Sequence, residues 1–384
     1  MAKTVAIVGA GFTGLPLAHK LLIYTAPKIK DGFKVILISP NSHFYWNLAA
    51  TRGVVPGAIP DDKLFIPIEP AFAKYPAENF EFVLGKATRL DAEKNTVNVL
   101  CNTGTYRDIS YDQLVIASGS SVANDLPFKS LGTHETTLTS FHALQQEIEN
   151  AGTIVVAGAG PTGIETAGEL ATTYGDKKKV TLLVAGDRVL HSFQPLQSVS
   201  QQIEGDLKKL GVKLAHNAKV QGAEKTETGQ TVIKLLNGET FTADCYIPLF
   251  GIRLNNSWIP DNFLDGSGSV KLDIYMRVQG TSNIWGIGDM GNLEAKQVVA
   301  SDAQIIHLAA TLDLVLTERA DKIKEHKPAN KKAIFISLGK QYGTGQIGWW
   351  KVWGWMVVYI KGRNIFTDMA PNYVAGKQLR HASM

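Results

Sequence analysis

The sequence contains very few cysteines and no local thiol pair. Among 384 residues, only Cys101 and Cys245 are cysteines, and each lies in an apolar run typical of a strand. Because no CxxC or CxxxxC spacing occurs, a local redox dithiol is excluded, and two thiols so far apart exclude a disulfide framework. We interpret both as buried structural thiols of a protein in a reducing compartment.

Other absences each remove a class of protein. There is no HExxH, no pair of metal-ligating histidines and no GxSxG, so we predict neither a metal site nor a serine hydrolase. The net charge of +4 comes without a dense basic stripe, which argues against nucleic-acid binding. The apolar run 352–360 is far shorter than the roughly 20 residues of a membrane-spanning helix. Without a targeting signal at the N-terminus, we expect a cytoplasmic protein.

A glycine-rich turn follows the first apolar run. The segment TVAIVGAGFTGLPLAHKLL predicts a strand at 4–8, a turn and a helix, and GFKVILIS predicts the next strand, ending near Ser39. In the fingerprint Gly9-x-Gly11-x-x-Gly14, the first glycine permits a tight turn, the second makes room for a pyrophosphate and the third lets helix and strand pack closely. The phosphates would lie at the positive end of the helix dipole.

The usual acidic partner of this turn is missing. An acidic residue normally ends the second strand and holds the ribose hydroxyls, whereas this chain has Ser39, Pro40 and Asn41 there. The Ser39 hydroxyl or the Asn41 amide could take that role, although more weakly. The nearby Arg52 is either a partner of a pyrophosphate or an ordinary surface arginine.

A second fingerprint, Gly158-x-Gly160-x-x-Gly163, follows a predicted strand at 154–157, and Glu165 comes two residues later in the helix. Two such strand-turn-helix units predict two doubly wound nucleotide-binding modules.

The strand after the second turn, at 180–184, is followed by Ala185, Asp187 and Arg188. An acidic residue at the strand end would repel a 2′-phosphate, which Ala185 does not, and Arg188 could attract one. Because Asp187 could still favour NADH, both NADH and NADPH stay open.

Four segments stand in the order found in pyridine-nucleotide-dependent flavoprotein reductases: GAGFTG, YDQLVIASGS, GAGPTGIETAGEL and TSNIWGIGD. The missing dithiol points away from the disulfide reductases of that superfamily. The C-terminal stretch SLGKQYGTGQI…GWMVVYIKGRNIF is similar to the tail of the AMID-type, apoptosis-inducing-factor-like (ferroptosis suppressor protein-like) oxidoreductases. The chain resembles this family over nearly its whole length.

The resemblance implies an α/β fold with two Rossmann-like dinucleotide-binding domains and a small C-terminal domain. The FAD-binding domain would comprise residues 1–121 and 248–325, interrupted by an NAD(P)H-binding domain at 122–247. The C-terminal domain would follow at 326–384.

The resemblance also implies cofactor contacts. FAD would meet Arg52 at its pyrophosphate, the backbone of Ala87 near its adenine and Asp289 at its ribityl–pyrophosphate region. Glu165 would lie beside the nicotinamide and the flavin, and Lys296 matches a family lysine beside the isoalloxazine, so we predict both as catalytic residues. Lys296 could also be a plain surface lysine. The first turn would contact FAD through Gly9, Ala10, Gly11, Phe12, Thr13 and Gly14. The chain departs from the family pattern at Ser39, and at 117–119 it has ASG instead of ATG.

We therefore predict an FAD-dependent NAD(P)H oxidoreductase. Without a dithiol, the acceptor must reach the flavin directly, which favours a quinone or dioxygen. A flavin oxidoreductase that tailors a small metabolite and a redox-state signalling flavoprotein with slow turnover are the alternatives.

The tail mixes aromatic and basic residues, which suits peripheral contact with a membrane or lipid droplet surface. Packing on the FAD domain or in a homodimer contact would explain its aromatic residues equally well. The residues in question are Trp349, Trp350, Lys351, Trp353, Trp355, Lys361 and Arg363.

Overall fold

The computed structural model describes residues 3–328 and 333–377 and confirms the predicted α/β class. Its strands are β1 Lys3–Val8, β2 Phe33–Ser39, β3 His43–Tyr45, β4 Phe65–Pro67, β5 Phe80–Asp91, β6 Thr96–Cys101, β7 Tyr106–Ser110, β8 Gln113–Ile116, β9 Ser120–Val122, β10 Thr153–Ala157, β11 Lys179–Leu183, β12 Lys213–Ala215, β13 Val220–Lys225, β14 Thr231–Leu235, β15 Thr240–Ala243, β16 Cys245–Pro248, β17 Ile252–Leu254, β18 Ile284–Gly286, β19 Ala333–Leu338, β20 Tyr342–Ile347 and β21 Trp350–Val352.

The helices are mostly short. The α-helices are α1 Gly14–Lys20, α2 Ala50–Gly53, α3 Asp61–Leu64, α4 His134–Asn150, α5 Pro161–Tyr174, α6 Gln197–Lys209, α7 Val298–Leu316, α8 Gly354–Val357 and α9 Ala370–Val374. Two π-helical turns, Leu21–Thr25 and Val358–Gly362, continue α1 and α8. Single 3₁₀ turns lie at Ala26–Lys28, Asn47–Ala49, Glu69–Phe72, Gly175–Lys177, His191–Phe193, Asp261–Phe263, Gly288–Met290, Ala320–Lys322 and Thr367–Met369.

A seven-stranded sheet forms the first module, in the order β18-β8-β1-β2-β5-β6-β7. The strands from β18 to β5 are parallel, and β6 and β7 extend the sheet in antiparallel fashion. The central β1 has its last four residues buried, as its β-branched apolar run predicts. Since β18 comes from residues 284–286, the chain returns to this sheet after building the second module.

The second module contains a parallel sheet in the order β12-β11-β10-β16, together with an antiparallel sheet of β13, β14 and β15. The pair β9 and β17 lies where the chain passes between the modules. Both predicted changes of domain, after residue 121 and before residue 248, fall close to this pair. The exact boundaries stay predictions.

The C-terminal segment begins with an antiparallel sheet of β19, β20 and β21 and packs on α5. A β-carbon on Gly168 of α5 would lie 2.8 Å from the Leu338 side chain at the end of β19. One hydrophobic cluster joins all three parts and includes Leu15, Ile164 and Ile336, each of which is fully buried. Over residues 3–328 and 333–377, no helix combines the length and apolar character needed to cross a bilayer.

Candidate functional site

The first glycine turn has the geometry of a phosphate cradle. Gly9 has a φ of +117°, and a β-carbon there would lie 2.2 Å from the Ala117 carbonyl oxygen. A β-carbon on Gly14 would lie 1.9 Å from the Gly9 carbonyl oxygen, so neither position has room for a side chain. Around Gly11, no non-neighbouring atom of the described residues comes within 4 Å of such a carbon. The turn is closed on its protein side and open where a pyrophosphate would approach.

The second glycine turn repeats this arrangement. Gly158 has a φ of +112°, and a β-carbon there would lie 2.5 Å from the Leu249 carbonyl oxygen. On Gly163 it would lie 1.9 Å from the Gly158 carbonyl oxygen, whereas on Gly160 the nearest atom is a Phe193 ring carbon at 3.8 Å. Because α5 begins at the next residue, its free N–H groups border the open side.

The other residues of the first turn connect it to distant elements. Ala10 is buried, and the Phe12 ring packs edge-on against Phe44 at a centroid distance of 4.9 Å. The Phe12 carbonyl oxygen accepts a hydrogen bond of 2.7 Å from the Tyr373 hydroxyl of α9. Thr13 contacts the loop of the GD motif, where a β-carbon on Gly288 would lie 3.0 Å from its hydroxyl oxygen. The turn and the GD loop therefore share one cradle.

The end of β2 offers an unused amide donor in place of a carboxylate. The Ser39 hydroxyl accepts from the Asn41 N–H and donates to the Asn41 carbonyl oxygen, both at 3.1 Å. Asn41 Oδ1 accepts from the His43 N–H, but Asn41 Nδ2 is buried and has no partner among the described residues. A ribose hydroxyl oxygen could accept from this nitrogen, so the geometry favours Asn41 over Ser39 as the ribose contact.

Arg52 makes a buried ion pair rather than a free contact at the first turn. Its Nε and Nη2 donate to the two Glu169 oxygens of α5, both at 2.8 Å, with each side chain no more than 5% exposed. Its other hydrogen bonds go to carbonyl oxygens of Gly339, Gly362 and Arg363. All three guanidinium nitrogens thus have protein acceptors, which favours a structural role over the pyrophosphate contact that the resemblance implied, and the surface-arginine alternative is wrong.

Ala87 is buried in β5 and pairs with Val99 of β6, three residues beyond the last pair that β5 forms with β2. Its contact with an adenine stays a prediction.

Asp289 and Lys296 belong to one partly buried polar group. Asp289 Oδ2 accepts from Lys129 Nζ at 2.8 Å and from the Ser120 hydroxyl at 2.6 Å. Burial acts to raise the pKa of this carboxyl, but the Lys129 ammonium and Ser120 hold it below its usual range. Lys296 Nζ donates to the Asp289 carbonyl oxygen at 2.8 Å and to the Ser269 hydroxyl at 3.0 Å. Lys296 is therefore an anchor of the GD loop and not a plain surface lysine.

Glu165 lies against the C-terminal segment. Its Oε1 accepts from Lys361 Nζ at 2.5 Å and from the Ser337 N–H at 3.0 Å, and Lys361 also donates to the Phe335 carbonyl oxygen. The sequence grouped Lys361 with a surface tail, and no local signal links it to a residue 196 positions away. Glu165 shares no described hydrogen bond or ion pair with Lys296, so the two predicted catalytic residues act in separate polar groups.

The four tryptophans of the tail lie on the surface. Their exposed fractions are 90% for Trp349, 79% for Trp350, 69% for Trp353 and 67% for Trp355. Such exposure contradicts the expectation that they pack on the FAD domain. A cavity of about 670 Å³, open to solvent, is lined by Gln202, Lys351, Trp353, Gly354 and Trp355.

The comparison with known proteins identifies the family. The chain matches the pyridine nucleotide-disulphide oxidoreductase model over residues 3–305. The oxidoreductase ptaL of Pestalotiopsis fici is 39% identical over 98% of this chain and 100% of its own length. Ferroptosis suppressor protein 1 of Taeniopygia guttata is 25% identical over 95% of this chain and 94% of its own length. The solved sulfide:quinone oxidoreductase of Aquifex aeolicus shares the fold, with a TM-score of 0.78 and 18% identity over 99% of this chain and 93% of that chain.

These matches confirm three predictions: the family resemblance, the two Rossmann-type modules and the cofactors. Proteins of this family are FAD-dependent and use NAD(P)H. The chain fits both groups, because each of its two cradles has an open second glycine, and Asn41 Nδ2 beside the first has a hydrogen to donate. The chain belongs to the pyridine nucleotide-disulphide oxidoreductase family.

Proposed function

We propose that this oxidoreductase takes electrons from NAD(P)H at the second glycine turn and delivers them, through FAD at the first, to a quinone-type acceptor. The observation that carries the proposal is the course of the C-terminal segment. It joins the partly buried Glu165–Lys361 pair to an open aromatic cavity. A quinone also stands in the name of the sulfide:quinone oxidoreductase that shares this fold.

The bound flavin would supply the two-electron chemistry between nicotinamide and acceptor. The protein holds and orients the two dinucleotides with its glycine cradles. Around the GD loop, Lys129 and Lys296 place two ammonium groups on Asp289, one on its carboxylate and one on its carbonyl oxygen. Their positive field favours negative charge in this cradle.

The two thiols cannot relay electrons to the acceptor. Cys101 ends β6 of the first module and is half-buried, whereas Cys245 begins β16 of the second module. Burial raises the pKa of the Cys245 thiol to about 12, so it stays protonated and unreactive at neutral pH. The acceptor must therefore approach the flavin itself, as a small planar quinone can.

A continuous helical run connects the cavity to the Glu165–Lys361 pair. Trp355 lines the cavity, and α8 and its π-helical turn continue without a break to Lys361. Six residues at a rise of 1.5 Å span roughly 9 Å, which is about the size of a quinone ring with its first substituents. This run links the cavity wall to Lys361, whose ammonium donates to Glu165 and to the Phe335 carbonyl oxygen.

The same segment supports peripheral contact with a lipid surface, where lipophilic quinones dissolve. The exposed residues of this segment are mostly apolar, namely the four tryptophans, Tyr359 and Ile360. The exposed Lys351 adds a positive charge among them. Tryptophan rings prefer the interface between headgroups and acyl chains, and ammonium groups attract anionic headgroups.

Stopped-flow absorbance of the FAD-loaded enzyme tests the acceptor. Under anaerobic conditions, NADPH or NADH should bleach the flavin, and a short-chain quinone should restore its colour much faster than dioxygen does. Trp355→Ala should slow the quinone step and leave the bleaching step unchanged. Trp349→Ala is the matched control, because this tryptophan of the same segment is more exposed than Trp355 but does not line the cavity.

Failure of every quinone to reoxidise the flavin, with dioxygen fast, would contradict the quinone proposal and favour an enzyme that tailors a small metabolite. Bleaching that is slow with both nicotinamides would instead favour the signalling alternative.

A further inference from the structure

The segment that follows β11 is held beside the second glycine turn. The Leu190 N–H donates to the Ala159 carbonyl oxygen of the turn at 2.9 Å. The Val189 N–H donates to Glu204 of α6 at 3.1 Å, and its carbonyl oxygen accepts from the Ser200 hydroxyl at 3.0 Å. In doubly wound folds the end of this strand lies beside the adenosine ribose of the dinucleotide. The backbone of this segment is therefore held where the ribose 2′ position is expected.

The residue at this strand end is not acidic. Ala185, the first exposed residue after β11, carries only a methyl group. The Asp187 carboxylate is hydrogen-bonded at 3.0 Å to Nδ1 of His191, which pairs with it across the loop. His191 engages only Oδ1 of this exposed carboxylate. Ala185, which lies closer to the strand end, offers a 2′-phosphate no repulsion.

Arg188 is the unpaired cation of this loop. Its guanidinium makes no hydrogen bond or ion pair with the residues described in 3–328 and 333–377, and its Nε is buried without a partner. This differs from Arg52, whose three nitrogens all have acceptors. A buried donor without an acceptor is unfavourable, and a guanidinium is the side chain best suited to a phosphate group.

We propose that the second dinucleotide site selects NADPH, with Arg188 as the residue that binds its 2′-phosphate. The selection combines one attractive element, the Arg188 guanidinium, with the absence of a repulsive one at Ala185. The proposal concerns the nucleotide alone and does not depend on the identity of the acceptor. It can therefore fail while the quinone proposal holds, and the reverse is equally true.

Isothermal titration of the FAD-loaded protein with 2′,5′-ADP and with 5′-ADP tests the site without turnover. We expect the wild-type protein to bind 2′,5′-ADP at least tenfold more tightly. Because a guanidinium–phosphate contact is charge-assisted, Arg188→Ala should weaken 2′,5′-ADP binding by roughly 10- to 100-fold and leave 5′-ADP binding unchanged. Ala185→Asp should also weaken 2′,5′-ADP binding, because the new carboxylate would repel the 2′-phosphate.

Arg107→Ala is the matched control, because Arg107 lies on the edge strand β7 of the other module and should not affect either nucleotide. If Arg188→Ala lowered the affinity for 2′,5′-ADP and for 5′-ADP equally, Arg188 would have a general role in folding or adenosine binding, and the proposal would be overturned. The proposal would also be overturned if the wild-type protein bound 5′-ADP more tightly than 2′,5′-ADP and Arg188→Ala changed neither affinity. A circular dichroism melt of each variant separates loss of binding from loss of fold.

Discussion

At the residue scale, the hydrogen bonds of Arg52 favour a structural role over the pyrophosphate contact that the resemblance implied. Its bidentate pair with Glu169 is buried and joins α2, α5 and the C-terminal segment. Breaking such a pair leaves an uncompensated charge, so Arg52→Met and Glu169→Gln should each destabilise the protein by about 3 kcal/mol in urea denaturation. The double variant should cost much less than the sum of the two, because neither charge then remains alone.

A binding measurement distinguishes this role from a pyrophosphate contact. If the ion pair is what matters, Arg52→Met and Glu169→Gln should change FAD affinity to the same extent. A large loss of FAD affinity in Arg52→Met alone, with Glu169→Gln close to wild type, would restore the pyrophosphate assignment.

At this scale, the sequence predicted a role correctly where that role depends on residues adjacent in the chain. The roles of Gly9 and Gly158 follow from spacing, because a tight turn after a strand constrains residues that are adjacent in the chain. Sequence reasoning missed Lys361 and left Asn41 undecided. A lysine that meets Glu165 from 196 residues away carries no local pattern, and only the hydrogen bonds around Asn41 reveal which of its atoms is unused.

At the element scale, the exposed face of β21 and α8 makes a prediction about lipid binding. Transfer of a tryptophan side chain out of water is worth roughly 1.5–3 kcal/mol, so two exposed rings can decide whether the protein partitions to a surface. Trp349→Ser combined with Trp350→Ser should reduce co-sedimentation with phosphatidylcholine–phosphatidylserine vesicles by at least tenfold. Added salt should weaken wild-type binding, since Lys351 contributes through charge.

Tyr106→Ser is the control for lipid binding, because Tyr106 is also exposed but lies on β7 at the far edge of the first sheet. Vesicle binding that is identical in all variants would argue against the lipid-facing role. A concentration-dependent dimer in light scattering, abolished by the tryptophan double variant, would instead assign the face to a homodimer contact.

Elements with strong periodicity were predicted well. The strand expected at 4–8 is β1 Lys3–Val8, and the strand expected at 180–184 is β11 Lys179–Leu183. The tail was harder, because its sequence specifies a small sheet followed by a helical turn while the partner surface, α5, is far away in the chain. Whether the aromatic residues of the tail face inward or outward depends on how the tail packs against α5 and not on the local sequence pattern.

At the scale of the whole molecule, the hydrophobic cluster that joins the modules sets how the protein unfolds. Leu15 of the first module, Ile164 of the second and Ile336 of the C-terminal sheet belong to the same buried cluster. Units that share a core unfold together, so scanning calorimetry should show a single transition for the FAD-loaded protein. FAD at 100 times its dissociation constant should stabilise the whole chain by about 2.7 kcal/mol, although it binds only the first module.

A substitution at the shared surface should separate the units. Gly168→Leu would force a side chain into Leu338, where even a β-carbon would lie only 2.8 Å away, and so push the C-terminal sheet off α5. We expect a second, lower-temperature transition that does not respond to FAD. Two transitions already present in the wild-type protein would mean that the modules fold independently, despite the cluster that spans them. A single transition in Gly168→Leu, shifted as a whole, would mean that the C-terminal sheet has no stability apart from the rest, because its own core is too small to persist once α5 is lost.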